Sequence, residues 1–233
     1  MKKKIIHILC EGQTEEGFVS AVLGPYLRAH GIEAVKTVIA ITNRRKGVAG
    51  GVVSYAQVKG NLECMYRAEK DDGYAQHIFT SMIDFYALPT DFPGFLSPVK
   101  GENRFLAVEK LEKAFGNDIE IPGFIPYFQL HEFEALLFCG LEFLIEDYPE
   151  SRRDIVQLQI ECKSFSNPEE INGGVDTAPS KRIIRAVEGH GKTRRYRYNK
   201  LLSGKTVTSQ IGIDELRRKC PHFNAWIQKL LDA

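Results

Sequence analysis

The sequence predicts an α/β fold: a Rossmann-like, mostly parallel sheet flanked by helices, with a helical C-terminal part. Two observations carry this. Through the first 140 residues, short apolar runs of strand length alternate with apolar stripes at three- and four-residue spacing. From about Leu141 onward the strand signals stop and only helical spacing remains. Strand then helix, repeated four times, is the pattern of a parallel sheet covered on both faces, and right-handed crossovers leave few other topologies. A length of 233 residues suits one large domain with an extension, so the expected division is an α/β domain at 1–140 and a helical extension at 141–233 packed on it.

Each element has its own reason. Lys4 to Cys10 is an apolar run of strand length, followed by Glu11-Gly12-Gln13-Thr14. Phe18, Val22, Leu23, Tyr26 and Leu27 then form the stripe of an amphipathic helix that His30-Gly31 ends. Glu33 to Ile41 is β-branched and strand-like. A loop rich in Arg, Lys and Gly covers Thr42 to Gly51, and a helix is expected from about Ser54 to Lys70. His77 to Ile83 reads as the third strand, and a Pro- and Gly-rich loop runs from Leu88 to Gly101. A helix follows at about Phe105 to Phe115, then a fourth strand at Phe124 to Leu130 and a helix at His131 to Cys139.

Composition excludes several classes. With 43% hydrophobic and 26% charged residues the chain is not mostly disordered. No apolar run approaches the roughly 18 residues of a membrane helix, so no membrane partner is expected. Five scattered cysteines form no C-x-x-C pair, which argues against a disulfide framework or a zinc knuckle and for a reduced, cytoplasmic setting. The net charge of +1 advertises no partner, but it hides a local contrast. Between Glu102 and Glu150 there are 11 acids and 3 bases, whereas Lys181 to Lys205 holds 9 bases and one acid.

Ligands of a parallel α/β sheet bind at the carboxyl ends of its strands. Three of those ends carry acids: Glu11 after the first, Asp84 after the third, and Glu132 with Glu134 after the fourth. If they converge on one rim, their mutual repulsion calls for a cation, and hard oxygen ligands favour Mg²⁺ or Mn²⁺. Such a site binds phosphate and stabilises charge on a phosphoryl group. Plainer readings stand beside this one. Glu15 and Glu16 sit in a first helical turn, where acids complement the dipole. Asp84 serves equally as an Asx turn opening the proline loop. His131 and Glu134, three apart, would share a helix face, with Glu132 pointing elsewhere; His131 could equally cap that helix or bond within the core.

Among the bases, Lys181, Arg182, Arg194, Arg195 and Arg197 interleave with Tyr196 and Tyr198, which suits a phosphate backbone with stacked bases. The alternative is a solvated face balancing the acidic centre. Arg44 and Arg45 form a weaker phosphate candidate near Gly50-Gly51, whose glycines suggest a mobile backbone. There is no G-x-x-x-x-G-K-[ST] loop, no G-x-G-x-x-G, no G-x-S-x-G and no H-E-x-x-H.

Cys10-Glu11-Gly12-Gln13-Thr14-Glu15 after an opening strand resembles the first motif of the TOPRIM domain of topoisomerases, primases and nucleases of overcoming-lysogenization-defect type. The resemblance implies that Glu11 is the general acid/base and that Asp84 is the first aspartate of a magnesium-binding Asp-x-Asp. Tyr86 stands where the second aspartate belongs, which leaves Asp91, Glu132 or Glu134 to complete the ligands. More of the chain is similar to an uncharacterised bacterial family of TOPRIM-like proteins, through Met82-Ile83-Asp84-Phe85-Tyr86, His131-Glu132-Phe133-Glu134-Ala135-Leu136 and Ala178-Pro179-Ser180-Lys181-Arg182. It implies a Mg²⁺- or Mn²⁺-dependent, nuclease-like enzyme acting on nucleic acid, linked to phage defence. In it, Asp84 with Glu132 or Glu134 would hold the metal, and His131 would orient a ligand or the scissile phosphate. Two other readings stay open: a non-catalytic binding or sensing subunit with an ATPase partner, and an enzyme acting on small phosphorylated molecules.

Overall fold

A computed structural model of the chain describes residues 2–43, 48–69, 73–86, 88–95, 103–171, 174, 176–189 and 196–233. Strands β1 (Lys3–Cys10), β2 (Ala34–Ile39), β5 (Ala75–Asp84) and the short β6 (Phe128–Gln129) form a four-stranded sheet in the order β2-β1-β5-β6. Every pairing in it is parallel. The short strands β3 (Ile41–Asn43) and β4 (Val48–Ala49) make a small antiparallel ladder beside it. β1 and β5 are the longest strands and lie in the middle, where a run such as Ile5-Ile6-His7-Ile8-Leu9-Cys10 is buried on both faces.

The two faces of the sheet carry separate cores. Ile6, Ile8 and Cys10 point into one with Phe18, Val19 and Leu27 of the first helical segment. That segment is α1 (Gln13–Phe18) and α2 (Gly24–Ala29), joined by a π-helical stretch at Val19–Leu23. Leu9, Phe79 and Ile83 point the other way, into a core with Val58 and Leu62 of α3 (Tyr55–Ala68) and Val108, Leu111 and Phe115 of α4 (Arg104–Asp118). Each such side chain taken out of water contributes about 1.5–3 kcal/mol. The chain thus leaves β1 toward one face and β5 toward the other, although the two strands are neighbours. That divergence opens a crevice at their carboxyl ends, the topological switch point of the sheet.

The C-terminal helices are α5 (Leu144–Asp147), α6 (Arg152–Cys162), α7 (Pro179–Glu188), α8 (Lys200–Ile211), α9 (Ile213–Lys219) and α10 (Pro221–Asp232). They share the α1 core, and the Trp226 indole of α10 donates to Thr80 Oγ1 of β5 at 2.9 Å. Glu169, fully buried, accepts the His222 and Phe223 amides at the start of α10, at 2.8 and 2.9 Å. Glu112 accepts from the Phe128 amide at 2.9 Å and meets His222 Nε2 at 3.0 Å. These carboxylates tie α10, α4 and β6 together.

Two elements differ from expectation. The fourth strand is a bridge at Ile125 and then only Phe128–Gln129, because Pro126 has no N–H to give the ladder. The expected helix at His131 to Cys139 is a 3₁₀ helix at Phe133–Cys139. His131 takes φ +66°, which breaks the helix before it begins and leaves Glu132 extended as the cap.

Candidate metal centre

Glu11 and Asp84 stand at the switch point, at the ends of the two central strands. Glu11 is pinned by its own backbone: its N–H donates to Met82 and its carbonyl accepts from Gly51 at 2.9 Å. Gly50 and Gly51 adopt φ +101° and +81°, so these glycines form a defined turn against Glu11 instead of a loose linker. Glu11 Oε2 accepts from the Asp84 amide at 2.9 Å, and Asp84 Oδ1 accepts from the Phe133 amide at 2.9 Å. The ends of β1 and β5 and the segment after β6 are therefore linked through their acids. Backbone bonds from Phe85 to Gln129 and from Tyr86 to His131 continue that link past the strands.

Three more acids face the same place. Glu15, in the first turn of α1, returns Oε2 to the Gly12 amide at 2.8 Å; a Cβ on Gly12 would press to 3.3 Å from that oxygen. Glu132 accepts from the Ser180 amide at 2.9 Å and from its hydroxyl at 3.1 Å, at the start of α7. Glu134 lies 2.7 Å from Lys200 Nζ at the start of α8. Gly204 of α8 leaves no room for a side chain, since a Cβ would come within 2.9 Å of Thr14 and 3.0 Å of Phe133, and this contact seats Lys200 over the rim.

The electrostatics follow from burial. Asp84 is held well above the usual carboxylate range by burial first, then by the repulsion of Glu15, Glu11, Glu134 and Glu132. Burial pushes Glu15 up to about 7, with Glu11 and Glu134 adding to it. Glu11 and Glu134 are raised too by burial, against the pull of Lys200. Burial works against the Lys200 ammonium, but Glu134, Glu132 and Asp84 outweigh it and raise its affinity for a proton. Such an assembly holds few of its charges without a further cation. Each acid is anchored to a protein donor. Among the described residues, the three ligand atoms that close to within 4.8 Å of one another belong instead to His7, Glu69 and His77.

A family model described as a domain of unknown function, DUF4276, matches residues 10–231. The chain belongs to the DUF4276 family. Among solved structures it is similar to the C-terminal region of the Burkholderia pseudomallei OLD protein, at 14% identity and a TM-score of 0.40, with 97% of each chain covered. A likeness that loose adds nothing to what the strand order shows. No curated protein matches the sequence.

In this DUF4276 chain the structure brings Glu11, Asp84, Glu132 and Glu134 together and separates other candidates from them. The expected split of Glu132 from Glu134 is corrected: no helix starts at His131, so the spacing argument does not apply, and both face Asp84. The His131 ring turns to a cavity of about 510 Å³ lined by Asn103, Arg104, Phe105, Glu169 and Glu170. Burial and Arg104 lower its pKa to about 4. Asp91 lies elsewhere, with its carboxylate accepting from the Tyr55 amide at the start of α3. Arg182 is spent partly inside the protein, donating to Thr177 O at 2.7 Å and lying over Phe165. Lys181 and Arg197 are exposed. Tyr198 is 7% exposed and Tyr196 packs edge-on against Tyr148, so Tyr198 does not offer a face for base stacking. Arg44, Arg45, Arg194 and Arg195 lie outside the described residues.

Sequence reasoning missed Glu15, Lys200 and Ser180 as members of the rim. Glu15 was hidden by its second role, since an acid at that helical position is expected anyway. Lys200 did leave a signal: a lysine opening a helix right after its Asn199 cap opposes the helix dipole, and a broken local rule marks a site.

Proposed function

We propose that this protein is a divalent-metal-dependent phosphodiester-processing enzyme of TOPRIM-like type, acting on nucleic acid as a nuclease. The observation that supports this reading best is the gathering of five buried or half-buried carboxylates and one lysine at the switch point of a parallel sheet. The donor set is all oxygen, which fits Mg²⁺ or Mn²⁺. Asp84 would hold the cation with Glu132 or Glu134 in place of the aspartate that Tyr86 replaces, and Glu15 stands beside them as a further oxygen donor. When bound, the metal supplies Lewis-acid stabilisation of charge on the phosphoryl oxygens.

The chain's own groups do the rest. The Glu11 carboxylate, raised by burial, takes the proton from the attacking water and returns it to the leaving oxygen. Lys200, seated by α8, holds a phosphate oxygen and keeps Glu134 in place. The α7 N-terminus fixes Glu132 through Ser180. Lys181 and Arg197, with Arg44, Arg45, Arg182, Arg194 and Arg195, would follow the nucleic acid backbone, and a role in phage defence fits an enzyme of this kind. His131 would act from beside the rim.

Purified full-length protein incubated with DNA and RNA in Mg²⁺ or Mn²⁺ tests this. Cleavage is expected to need the metal and to disappear in Glu11→Gln and Asp84→Asn; cleavage that persists in both variants overturns the assignment. A second reading is favoured by one observation, Tyr86 at the place of an aspartate. It makes the protein a metal-poor binding or sensing subunit of an ATPase complex. Pull-down of a stable ATPase together with no Mg²⁺ heat in calorimetry would select it.

A further inference from the structure

The same two central strands carry a second constellation on the other side of their midpoint. His7 of β1 and His77 of β5 lie on one face, because His7 pairs with Phe79 and Ile5 with His77. Helix α3 runs back along the sheet and delivers Glu69, the residue that caps its end, to the same spot. His7 Nε2 and His77 Nδ1 are 2.9 Å apart, and the two Glu69 oxygens lie 3.5 Å from His7 Nδ1 and 3.7 Å from His77 Nδ1. One ligand atom from each residue falls within 4.8 Å of the others. Ligands bound at 2.0–2.1 Å in a tetrahedron stand about 3.4 Å from one another. The Glu69 oxygens, at 3.5 and 3.7 Å from the two Nδ1 atoms, stand close to that value.

We propose that His7, His77 and Glu69 form a binding site for a transition-metal cation of the zinc class, distinct from the oxygen-only rim. Two imidazoles and a carboxylate are a nitrogen-rich set that suits Zn²⁺ and rejects Mg²⁺, so one fold would sort two metals by ligand chemistry. The setting supports it. His7 is 3% exposed and stacks on Phe79 at 4.7 Å, which fixes its ring. His77 and Glu69 open onto a cavity of about 440 Å³ that also touches Tyr66, Arg67 and Pro122. That cavity leaves room for a fourth ligand, water or an incoming group. The site joins the paired strands β1 and β5 to the end of α3.

Lys36 of β2 is the built-in competitor. Its Nζ lies 2.8 and 3.0 Å from the Glu69 oxygens, so a cation must share or displace that ion pair. The ammonium is half-exposed and free to swing into water. This makes a prediction of opposite sign to that for the ligands, which separates a metal site from a hydrogen-bond network.

The experiment titrates the full chain with Co²⁺, read by its visible absorption, and with Zn²⁺ in competition with a chromophoric chelator. One equivalent of tetrahedral Co²⁺ is expected. His77→Ala and Glu69→Gln should each weaken binding at least tenfold, Lys36→Met should tighten it, and Glu11→Gln with Asp84→Asn should leave it unchanged. The partly exposed positions 69 and 77 are chosen because they sit at the rim of the core, and circular dichroism confirms the fold of each variant. Absence of binding in the wild-type chain overturns the proposal, as does binding lost in the Glu11 and Asp84 variants but kept in His77→Ala. Weakened binding in Lys36→Met also overturns it, because that places the cation elsewhere. None of these outcomes depends on cleavage.

Discussion

Two groups of buried carboxylates in this protein look alike by exposure and differ in what they face. Glu112 and Glu169, at 5% and 0% exposed, sit behind α10 and are answered by an imidazole and by backbone N–H groups. Glu15 and Glu134, at 6% and 3%, sit at the rim with Glu11, Asp84 and Glu132; these acids also have protein donors, but five of them face one another and Lys200 is the cation that answers them among the described residues. The first group is an anchor: each charge has been given donors, as burial of a carboxylate requires. The second group keeps its repulsion. A fold retains such an assembly at a cost in stability that a bound cation would offset. Burial alone therefore does not separate the two groups; the number of like charges each acid faces does.

The largest effects should come from neutralising the rim. Asp84→Asn keeps an oxygen for the Phe133 amide and removes one charge from the centre of the cluster. Metal-held charge stabilisation supplies several kcal/mol and each tenfold in rate is about 1.4 kcal/mol, so Mg²⁺-dependent cleavage should fall at least ~100-fold. The same change should raise stability in metal-free buffer, by about 0.5–2 kcal/mol, measured by urea unfolding. A variant that loses both activity and stability would place Asp84 with the anchors. The matching change among the anchors goes the other way: Glu169→Ala strips the acceptor from two buried amides and should cost about 2–6 kcal/mol, at about 1–3 each, without touching metal binding.

How much of this was legible in the sequence depends on which physical rule wrote it. The sheet was readable because its central strands are continuous apolar runs and its helices carry apolar stripes. Glu11 was readable because an acid straight after a buried strand has no local reason to be there, whereas Asp84 was half hidden by an Asx-turn reading. Glu15 and Lys200 were not, since each also satisfies or merely bends a helix-end rule, and only packing such as Gly204 against Thr14 and Phe133 brings α8 to the rim. His131 misled because its spacing to Glu134 looks helical, whereas a backbone at φ +66° turns the chain there. Tyr198 misled as well: an aromatic among cations reads as a stacking platform until its burial is seen.

The two groups should both lose stability as pH rises but answer metal differently. The Glu15 carboxyl is raised from 4.5 to about 7, so its folded form prefers the proton. The stability this provides is complete below 4.5 and is lost as pH rises through 7. Thermal unfolding in the absence of divalent ions should therefore move to lower temperature between pH 5 and 8. Mg²⁺ should reverse the slope by favouring the ionised acids, and its binding near pH 6.5 should release protons, seen as a dependence of the heat on buffer ionisation. Glu15→Gln should flatten the metal-free slope. His222, which Glu112 and Glu169 raise against the effect of burial, loses its contribution as pH rises above 6.5, and Mg²⁺ should leave that part untouched.

The smallest effect tests what His131 does. A non-glycine residue at positive φ carries strain of about 1 kcal/mol, which His131 sustains while turning the chain so that the Phe133 amide meets Asp84 and Glu132 meets Ser180. His131→Gly removes the ring and keeps the turn; the relieved strain and the added chain entropy of glycine nearly cancel, so stability should change by less than about 1 kcal/mol. His131→Val removes the ring and disfavours the turn, because a β-branched residue does not adopt that backbone. If His131 serves only by placing its neighbours, cleavage survives in the glycine variant and fails in the valine variant. If its ring acts on the substrate from the cavity beside Arg104, cleavage fails in both, and the rim extends one residue beyond the acids that define it.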